Sequence, residues 1–190
     1  MNFKYRIHPT LDNTIWYFGC SFTWGTDVDI EQTAPFQLSK LINQPVDNLG
    51  IQGASPDLIY FQIRKLIKKH TPKLIIIQWP SDTRTFKIIN NEIINLGIWV
   101  LRKNALLKNN HPDIVEGYQQ SVFDGAVQKH NIFCKENLSR LVSCPVISVN
   151  YDKFIDIASD GRHPGPLTHA SIANTLSQSV IKLNTPCLKN

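Results

Sequence analysis

The segment "LIIIQW", residues 74–79, restricts the fold of this chain more than any other part of the sequence. Its apolar character is continuous rather than alternating, and three of its six residues are isoleucine. A strand of this kind is covered on both faces, which is typical of a parallel sheet lying between helices. The segment "TIWYFG", residues 14–19, has the same character and predicts a second buried strand.

Helical and strand patterns alternate along the rest of the chain. Shorter strands are predicted at residues 45–49 and 144–149, and helices at residues 35–43, 56–70, 121–142 and 166–183. Residues 86–120 are expected to form a helical insertion. This order predicts a single α/β domain over residues 1–190, with a mainly parallel sheet flanked by helices. No pattern in the sequence sets an oligomeric state.

The composition is typical of a globular domain, with 42% apolar and 18% charged residues. No apolar run is long enough to cross a bilayer, and "MNFKYRIHPT" lacks the apolar core of a signal peptide. We therefore expect a cytoplasmic protein without a membrane partner. The formal charge of +5 includes one basic cluster, residues 64–69, which favours a solvated helix face. Without a groove-reading motif, no specific nucleic-acid partner is expected.

The spacing of cysteine and histidine does not favour a metal site. The four cysteines form no CxxC pair and no zinc-finger pattern with histidine. Asp160, His163 and His169 match no strong metal-binding spacing either. We therefore expect no metal and no organic cofactor. Cys20 remains a minor alternative nucleophile, because it adjoins Ser21.

Ser21 stands just past the predicted end of the first strand, in "YFGCSFTWGTD". Parallel α/β sheets bind ligands beyond the carboxyl ends of their strands, so this serine is a candidate nucleophile as well as a candidate turn residue. A nucleophilic serine needs a base and an orienting acid. In "SDGRHPGPLTH", Asp160 is placed to hold one ring nitrogen of His163, which leaves the other to take the serine proton. The alternatives are an Asx turn at Asp160 and a helix-capping role for His163.

Three stretches together resemble the SGNH/GDSL hydrolase superfamily: "FGCSFTWG" its first block, "DNLGIQGAS" its second and "DGRHPG" its fifth. The resemblance spans roughly residues 13–180. It implies a three-layer flavodoxin-like fold with a five-stranded sheet in the order 2-1-3-4-5. It also implies a nucleophile at Ser21, a base at His163, an acid at Asp160, and backbone donors to the oxyanion at Ser21 and Gly53.

The third block differs from the superfamily pattern, which places an asparagine donor after the third strand. In "IIIQWPSDTRT", Ser81 stands at the asparagine position and Asp82 follows it. Ser81 is interpreted either as a weaker oxyanion donor or as the N-cap of a helix after Pro80. Losing one such donor typically costs on the order of 100- to 1000-fold in rate. The other candidate donors nearby are Gln78, Trp79 and Arg84.

Three further residues complete the predicted pocket. Trp24 is expected to stack on a sugar or acyl group, or to pack in the core. Asn48 is expected to steady the second-block loop, and His169 to support the site from the last helix. The hypothesis is a serine esterase that removes a small acyl group, such as acetyl, from a carbohydrate or another small-molecule ester. The alternatives are acyl transfer by the same triad and a non-catalytic binding protein that retains the fold.

Overall fold

A four-stranded parallel sheet forms the centre of the protein. The computed structural model describes residues 3–101, 106–150 and 153–184. The sheet strands are β1 (Ile15–Phe18), β2 (Val46–Asn48), β3 (Leu74–Gln78) and, after a separate hairpin, β6 (Val146–Val149). Their spatial order is β2-β1-β3-β6, and every neighbouring pair is parallel. The predicted α/β class with a mainly parallel sheet is confirmed.

The two central strands are buried along their whole length, as their continuous apolar sequences predicted. Every residue of β1 and β3 is buried. Because side chains alternate along a strand, each strand supplies two separate cores. Trp16, Phe18, Ile75 and Ile77 pack on one face, and Ile15, Tyr17, Leu74 and Ile76 pack on the other.

Helices cover both faces of the sheet. The α-helices of the described residues are α1 (Ser21–Trp24), α2 (Ala34–Ile42), α3 (Pro56–Leu66), α4 (Leu106–Asn110), α5 (Pro112–Phe123), α6 (Ala126–Glu136), α7 (Leu138–Leu141) and α8 (Pro166–Asn184). Helices α2 and α8 pack together against one face, while α3 lies on the other with α6 beside it. Within the described ranges, no helix combines the length and apolar character needed to cross a membrane.

The expected helix at 121–142 is divided differently in the structure. Helix α5 ends at Phe123 and α6 starts at Ala126. Gly125 between them has a φ of +70°, a left-handed conformation that interrupts a right-handed helix. The apolar periodicity therefore predicted helical structure correctly, but it did not reveal the turn that separates α5 from α6.

The expected helical insertion at 86–120 begins with strands instead. β4 (Thr85–Ile89) and β5 (Glu92–Leu96) form an antiparallel hairpin, and a short 3₁₀ segment, α4 and α5 follow. Asn90 and Asn91 both have positive φ, which is the backbone of a two-residue hairpin turn. The Asn-Asn pair between two alternating runs was the signal that the helical prediction missed.

The fifth strand of the order 2-1-3-4-5 is not seen in the described residues. After β6, the chain forms only an isolated antiparallel bridge between Ile157 and Pro164. This bridge closes the loop that carries Asp160 and His163. The sheet thus reproduces the first four positions of the implied order and ends at β6.

Candidate functional site

Ser21 begins the short helix α1, directly after β1. Cys20 lies between them, is 3% exposed and belongs to the apolar core, whereas Ser21 is half-buried. The Ser21 hydroxyl lies 4.0 Å from the Cys20 sulfur. Of the two adjacent nucleophile candidates, Ser21 is thus the more accessible. Its place at the carboxyl end of a central strand is the one that the sequence predicted.

Arg6 fixes the chain that follows this helix. Its guanidinium donates to three backbone carbonyls, those of Trp24 at 3.2 Å, Gly25 at 2.5 Å and Val28 at 2.7 Å. A planar fork of donors suits several acceptors at once. The sequence analysis missed this residue, because it lies 18 to 22 positions from its partners and carries no local signal.

Asp160 and His163 are brought together in the loop before α8, residues 156–165, which we call the fifth-block loop. Asp160 Oδ1 accepts hydrogen bonds from the backbone N–H groups of Arg162, at 2.9 Å, and His163, at 3.0 Å. Its Oδ2 is paired with His163 Nδ1. The hydrogen bond from the His163 side chain, followed by those from the backbone, lowers the pKa of Asp160 to about 2. The carboxylate therefore forms an Asx-type turn and holds the imidazole at once.

The imidazole of His163 lies against the first block. Its ring meets the ring of Phe22 edge-on, with centroids 5.7 Å apart and planes at 89°. A hydrogen bond between Ser159 and Asp27 also joins the two loops. Ser21 and His163 themselves are not hydrogen-bonded in this structure. Catalytic hydrogen bonds are often long before substrate binds, and the Ser21 hydroxyl is free to rotate.

Asp156 anchors the other end of the fifth-block loop. It accepts hydrogen bonds from Leu167 N at 3.0 Å, Thr168 N at 2.7 Å and Thr168 Oγ1 at 2.8 Å. Burial alone would raise the pKa of Asp156, but these hydrogen bonds outweigh burial and lower it. Asp156 thereby caps the N-terminus of α8 and fixes the loop at both ends. The sequence analysis did not single it out.

The second-block loop presents Gly53 and is tied to the first block by Asn48. The Asn48 amide donates to Thr23 O at 2.9 Å, and its oxygen accepts from Gly50 N at 3.1 Å. Gly53 has a φ of +74°, which few other residues adopt. In the part of the chain that the structure describes, no acceptor takes the backbone N–H of Ser21 or of Gly53. Both remain available to an oxyanion.

Ser81 lies in a turn rather than at the start of a helix, so the N-cap interpretation is wrong. We call residues 81–84 the third-block turn. The Ser81 hydroxyl is 2.9 Å from Thr83 Oγ1 and accepts from Thr83 N at 3.3 Å, while Arg84 N donates to Ser81 O at 3.2 Å. These bonds satisfy the turn locally. They also engage the hydroxyl that would have to face an oxyanion.

Gln78 and Trp79 differ in whether their side chains retain an unused hydrogen-bond donor. Gln78 is 5% exposed, and its Oε1 accepts from Thr23 Oγ1 at 2.8 Å. This contact orients the amide and leaves its NH₂ group as the free end. Trp79 already uses its indole N–H, which donates to Ser148 Oγ at 3.2 Å. Gln78 is therefore the better placed of the two to supply a donor.

Helix α6 holds the third-block turn from outside. Asn131 is fully buried, and its amide donates to Asp82 O and Arg84 O, both at 2.7 Å. Its oxygen accepts from Asp57 N at 3.1 Å, at the start of α3. One turn later, Lys135 pairs with Asp82 at 2.6 Å. No local pattern in the sequence indicates this support, because Asn131 is 47 and 49 positions away from its carbonyl partners.

A cavity of about 390 Å³ lies beside the first block, with Cys20 and Phe22 in its wall. Lys135 lines it from α6. Trp24 is elsewhere, in a separate cavity of about 610 Å³ between the second-block loop and the hairpin. The predicted pocket is thus divided in two. The third-block residues that line the 390 Å³ cavity include Gln78, Trp79, Ser81, Asp82 and Arg84.

His169 lies in the interior, 1% exposed, between α8 and α2. Its Nδ1 accepts from Ala34 N at 3.2 Å. Burial, assisted by the positive charge of Arg6 and opposed by Asp156, lowers the pKa of His169 to about 4. It is therefore a neutral side chain that joins two helices. Among the described residues, no group of three or more His, Cys, Asp or Glu side chains is arranged to hold a metal ion.

Comparison with known proteins identifies the fold. No family model matches the chain, and no curated protein matches it. A family 3 carbohydrate esterase from Clostridium thermocellum superposes with a TM-score of 0.51 at 16% identity, over 90% of this chain and 96% of that one. A protein of the G-D-S-L family from Desulfitobacterium hafniense matches over 88% and 99%, at 12% identity and a TM-score of 0.45. The fold therefore resembles that of the carbohydrate esterase.

A third similar structure is Est24, a carbohydrate acetylesterase from Sinorhizobium meliloti. It is 12% identical, covers 90% of this chain and 100% of its own, and has a TM-score of 0.47. At such identities, the likeness to these structures concerns the backbone alone. Activity has to be argued from the side chains of this chain.

Proposed function

We propose that this protein is a serine esterase that removes a small acyl group, such as acetyl, from a carbohydrate or another polar alcohol. The observation that carries the proposal is the paired Asp160 and His163, packed against Phe22, the residue that follows Ser21. In this proposal, an acid, a base and a hydroxyl act together beyond the carboxyl end of β1. The likeness of the fold to that of a carbohydrate esterase supports this substrate class.

The reaction follows from the roles that the geometry permits. Ser21 Oγ attacks the acyl carbonyl while His163 Nε2 takes its proton, and Asp160 keeps Nδ1 protonated and the ring oriented. The unpaired N–H groups of Ser21 and Gly53 donate to the oxyanion of the tetrahedral intermediate. His163 returns the proton to the leaving alcohol. Water then attacks the acyl-enzyme by the same route and releases the acid.

Gln78 is the third oxyanion donor in this proposal. Its Oε1 is held by Thr23, so its NH₂ group has a fixed direction and no partner among the described residues. Ser81 is the poorer donor because its hydroxyl is engaged with Thr83. A fixed amide fulfils the requirement of oxyanion stabilisation, which is a donor oriented before the charge develops.

Labelling with a fluorophosphonate probe, with the adduct located by mass spectrometry, tests the nucleophile. We expect an adduct on Ser21 that is lost in His163→Ala, and an ester hydrolysis activity that Ser21→Ala abolishes without a change in Tm. Ser177→Ala is the matched control, because the Ser177 hydroxyl donates to Asn174 O on the surface of α8. Full activity in Ser21→Ala would refute the assignment. A folded protein that is never labelled would favour a binding protein instead.

A further inference from the structure

The walls of the 390 Å³ cavity carry an unbalanced positive charge. Its lining includes two cations, Arg84 and Lys135, and one carboxylate, Asp82. Lys135 is neutralised by Asp82, since their charged atoms are 2.6 Å apart, and it also lies over the Trp79 ring. That leaves the charge of Arg84 without a counterion in the wall.

Arg84 has no partner for its guanidinium among the described residues. No carboxylate pairs with it, and no acceptor takes a hydrogen bond from it. Its guanidinium carbon lies 5.1 Å from the centroid of the Trp99 ring. Stacking of this kind fixes the plane of the fork without using its N–H groups. The five donors therefore stay available.

The backbone of Arg84 is hydrogen-bonded on both sides, although its guanidinium is not. Its N–H donates to Ser81 O, and its carbonyl accepts from the buried Asn131. A guanidinium on a fixed backbone, placed over an aromatic ring and unpaired at its edge, is preorganised for an anion that presents two oxygens. Carboxylate and phosphate groups match the fork with two parallel hydrogen bonds.

We propose that this cavity binds an anionic oxygen group, a carboxylate or a phosphate, through Arg84. Where the proposed esterase function holds, the anion belongs to the alcohol that carries the acyl group, because the cavity adjoins Ser21 through Cys20 and Phe22. The substrate class is then an acylated acidic or phosphorylated carrier. The anion site itself depends only on Arg84 and its surroundings.

Turnover of matched acetates tests the substrate class. The substrates are para-acetoxybenzoate, para-acetoxyphenyl phosphate and the neutral para-acetoxybenzamide. Arg84→Gln should lower kcat/KM for the preferred anion by about 10- to 100-fold and leave the amide within about two-fold, since only the anion loses a charge-assisted bidentate contact. Arg84→Lys should recover part of the loss. Comparing the two anions shows whether carboxylate or phosphate is recognised.

Arg64→Gln is the matched control for that substitution. Arg64 also lies over an aromatic ring, that of Tyr60 at 6.0 Å, but on the exposed side of α3. We expect this variant to behave as the wild type with all three acetates. An equal loss for the anions and the amide in Arg84→Gln would overturn the proposal, since it would show that Arg84 only supports the turn.

A binding measurement separates this inference from the proposed function. Benzoate, phenyl phosphate and benzamide are titrated against Ser21→Ala, with and without Arg84→Gln, by calorimetry. We expect one anion to bind at least about 10-fold tighter than benzamide, and Arg84→Gln to remove the difference. Anion binding without hydrolysis of any acetate would refute the esterase and leave the anion site standing. Anions that bind no tighter than benzamide would overturn the anion site.

Discussion

The fifth-block loop and the third-block turn both border the candidate site, but they are held in different ways. Asp160 in the fifth-block loop bonds to residues two and three positions away, and Asp156 to residues 11 and 12 positions away. In the third-block turn, the carbonyls of Asp82 and Arg84 depend instead on Asn131, 49 and 47 positions along the chain, and that of Thr83 on Tyr118, 35 positions along. The first region is built by its own sequence, and the second by distant helices.

This difference separates two functions of the site. The acid and base need one fixed mutual geometry, which a short loop with its own hydrogen bonds provides. The third-block turn sets which donors and charges line the cavity, and a distant support lets its sequence vary. Three substitutions test the comparison.

The largest effect is expected from Asp160→Asn, which we predict to lower turnover by about 10³- to 10⁴-fold. Asparagine can still accept from the N–H groups of Arg162 and His163, so the turn should persist. Its NH₂ group cannot accept from His163 Nδ1, so the imidazole is held in the wrong tautomer. The measurement is kcat/KM together with Tm.

Asp124→Asn is the control for this change, because Asp124 is an exposed carboxylate that accepts from Gln120. It should leave turnover unchanged. If Asp160→Asn retained normal turnover, the local pairing in the fifth-block loop would serve structure alone, and the contrast between the two regions would disappear.

Asn131→Ala should mainly affect stability. It leaves two carbonyls and one N–H buried without their partner, so we expect the free energy of unfolding to fall by about 4 kcal/mol. Because the third-block turn then loses two of its supporting hydrogen bonds, the anion dependence attributed to Arg84 should weaken as well. Urea denaturation measures the first effect and the matched acetates the second.

Asn174→Ala is the control here, since Asn174 is exposed on α8. It should change the free energy of unfolding by less than about 0.5 kcal/mol. A similarly small change in Asn131→Ala would mean that the third-block turn holds itself, contrary to the comparison.

The smallest of the three effects concerns pH and His169, which lies in α8 just after the fifth-block loop. Because the pKa of folded His169 is lowered to about 4 from its usual 6.5, the unfolded chain takes up a proton that the folded protein does not. The free energy of unfolding should therefore decline as the pH falls from 6.5 to 4, by up to about 3 kcal/mol. His169→Gln should remove this decline.

Urea denaturation at several pH values measures that decline, with the exposed His8→Gln as a control that retains it. The pairing of Asp160 and His163 behaves differently in acid, because the pKa of Asp160 is lowered to about 2. Its contribution to stability is fully present above the usual carboxyl pKa and is lost only as the pH falls towards 2. A decline that persists in His169→Gln would assign the acid sensitivity to another group.

Much of the fold was readable because its signals are local. The continuous apolar runs gave the central strands β1 and β3, and the apolar faces gave α2, α3 and α8. The hairpin was missed although its Asn90-Asn91 turn was visible, because its two strands pair only with each other and carry a mixed burial pattern. The helix boundary at Gly125 was missed because periodicity does not register a single left-handed residue.

By itself, the sequence determined the parallel sheet, the position of Ser21 at the end of β1, and the pairing of Asp160 with His163. Each strand segment and each site element depends on residues close together in the chain, whose conformations follow from backbone propensity and short loops, although the strands pair across distances such as Ile15 to Leu74. Only the tertiary structure decided that Trp24 lies in a different cavity, that His169 is an interior helix contact, and that Arg84 is left unpaired in the wall of the 390 Å³ cavity. Those outcomes depend on which distant side chains meet, and burial and pairing are properties of the packed chain alone.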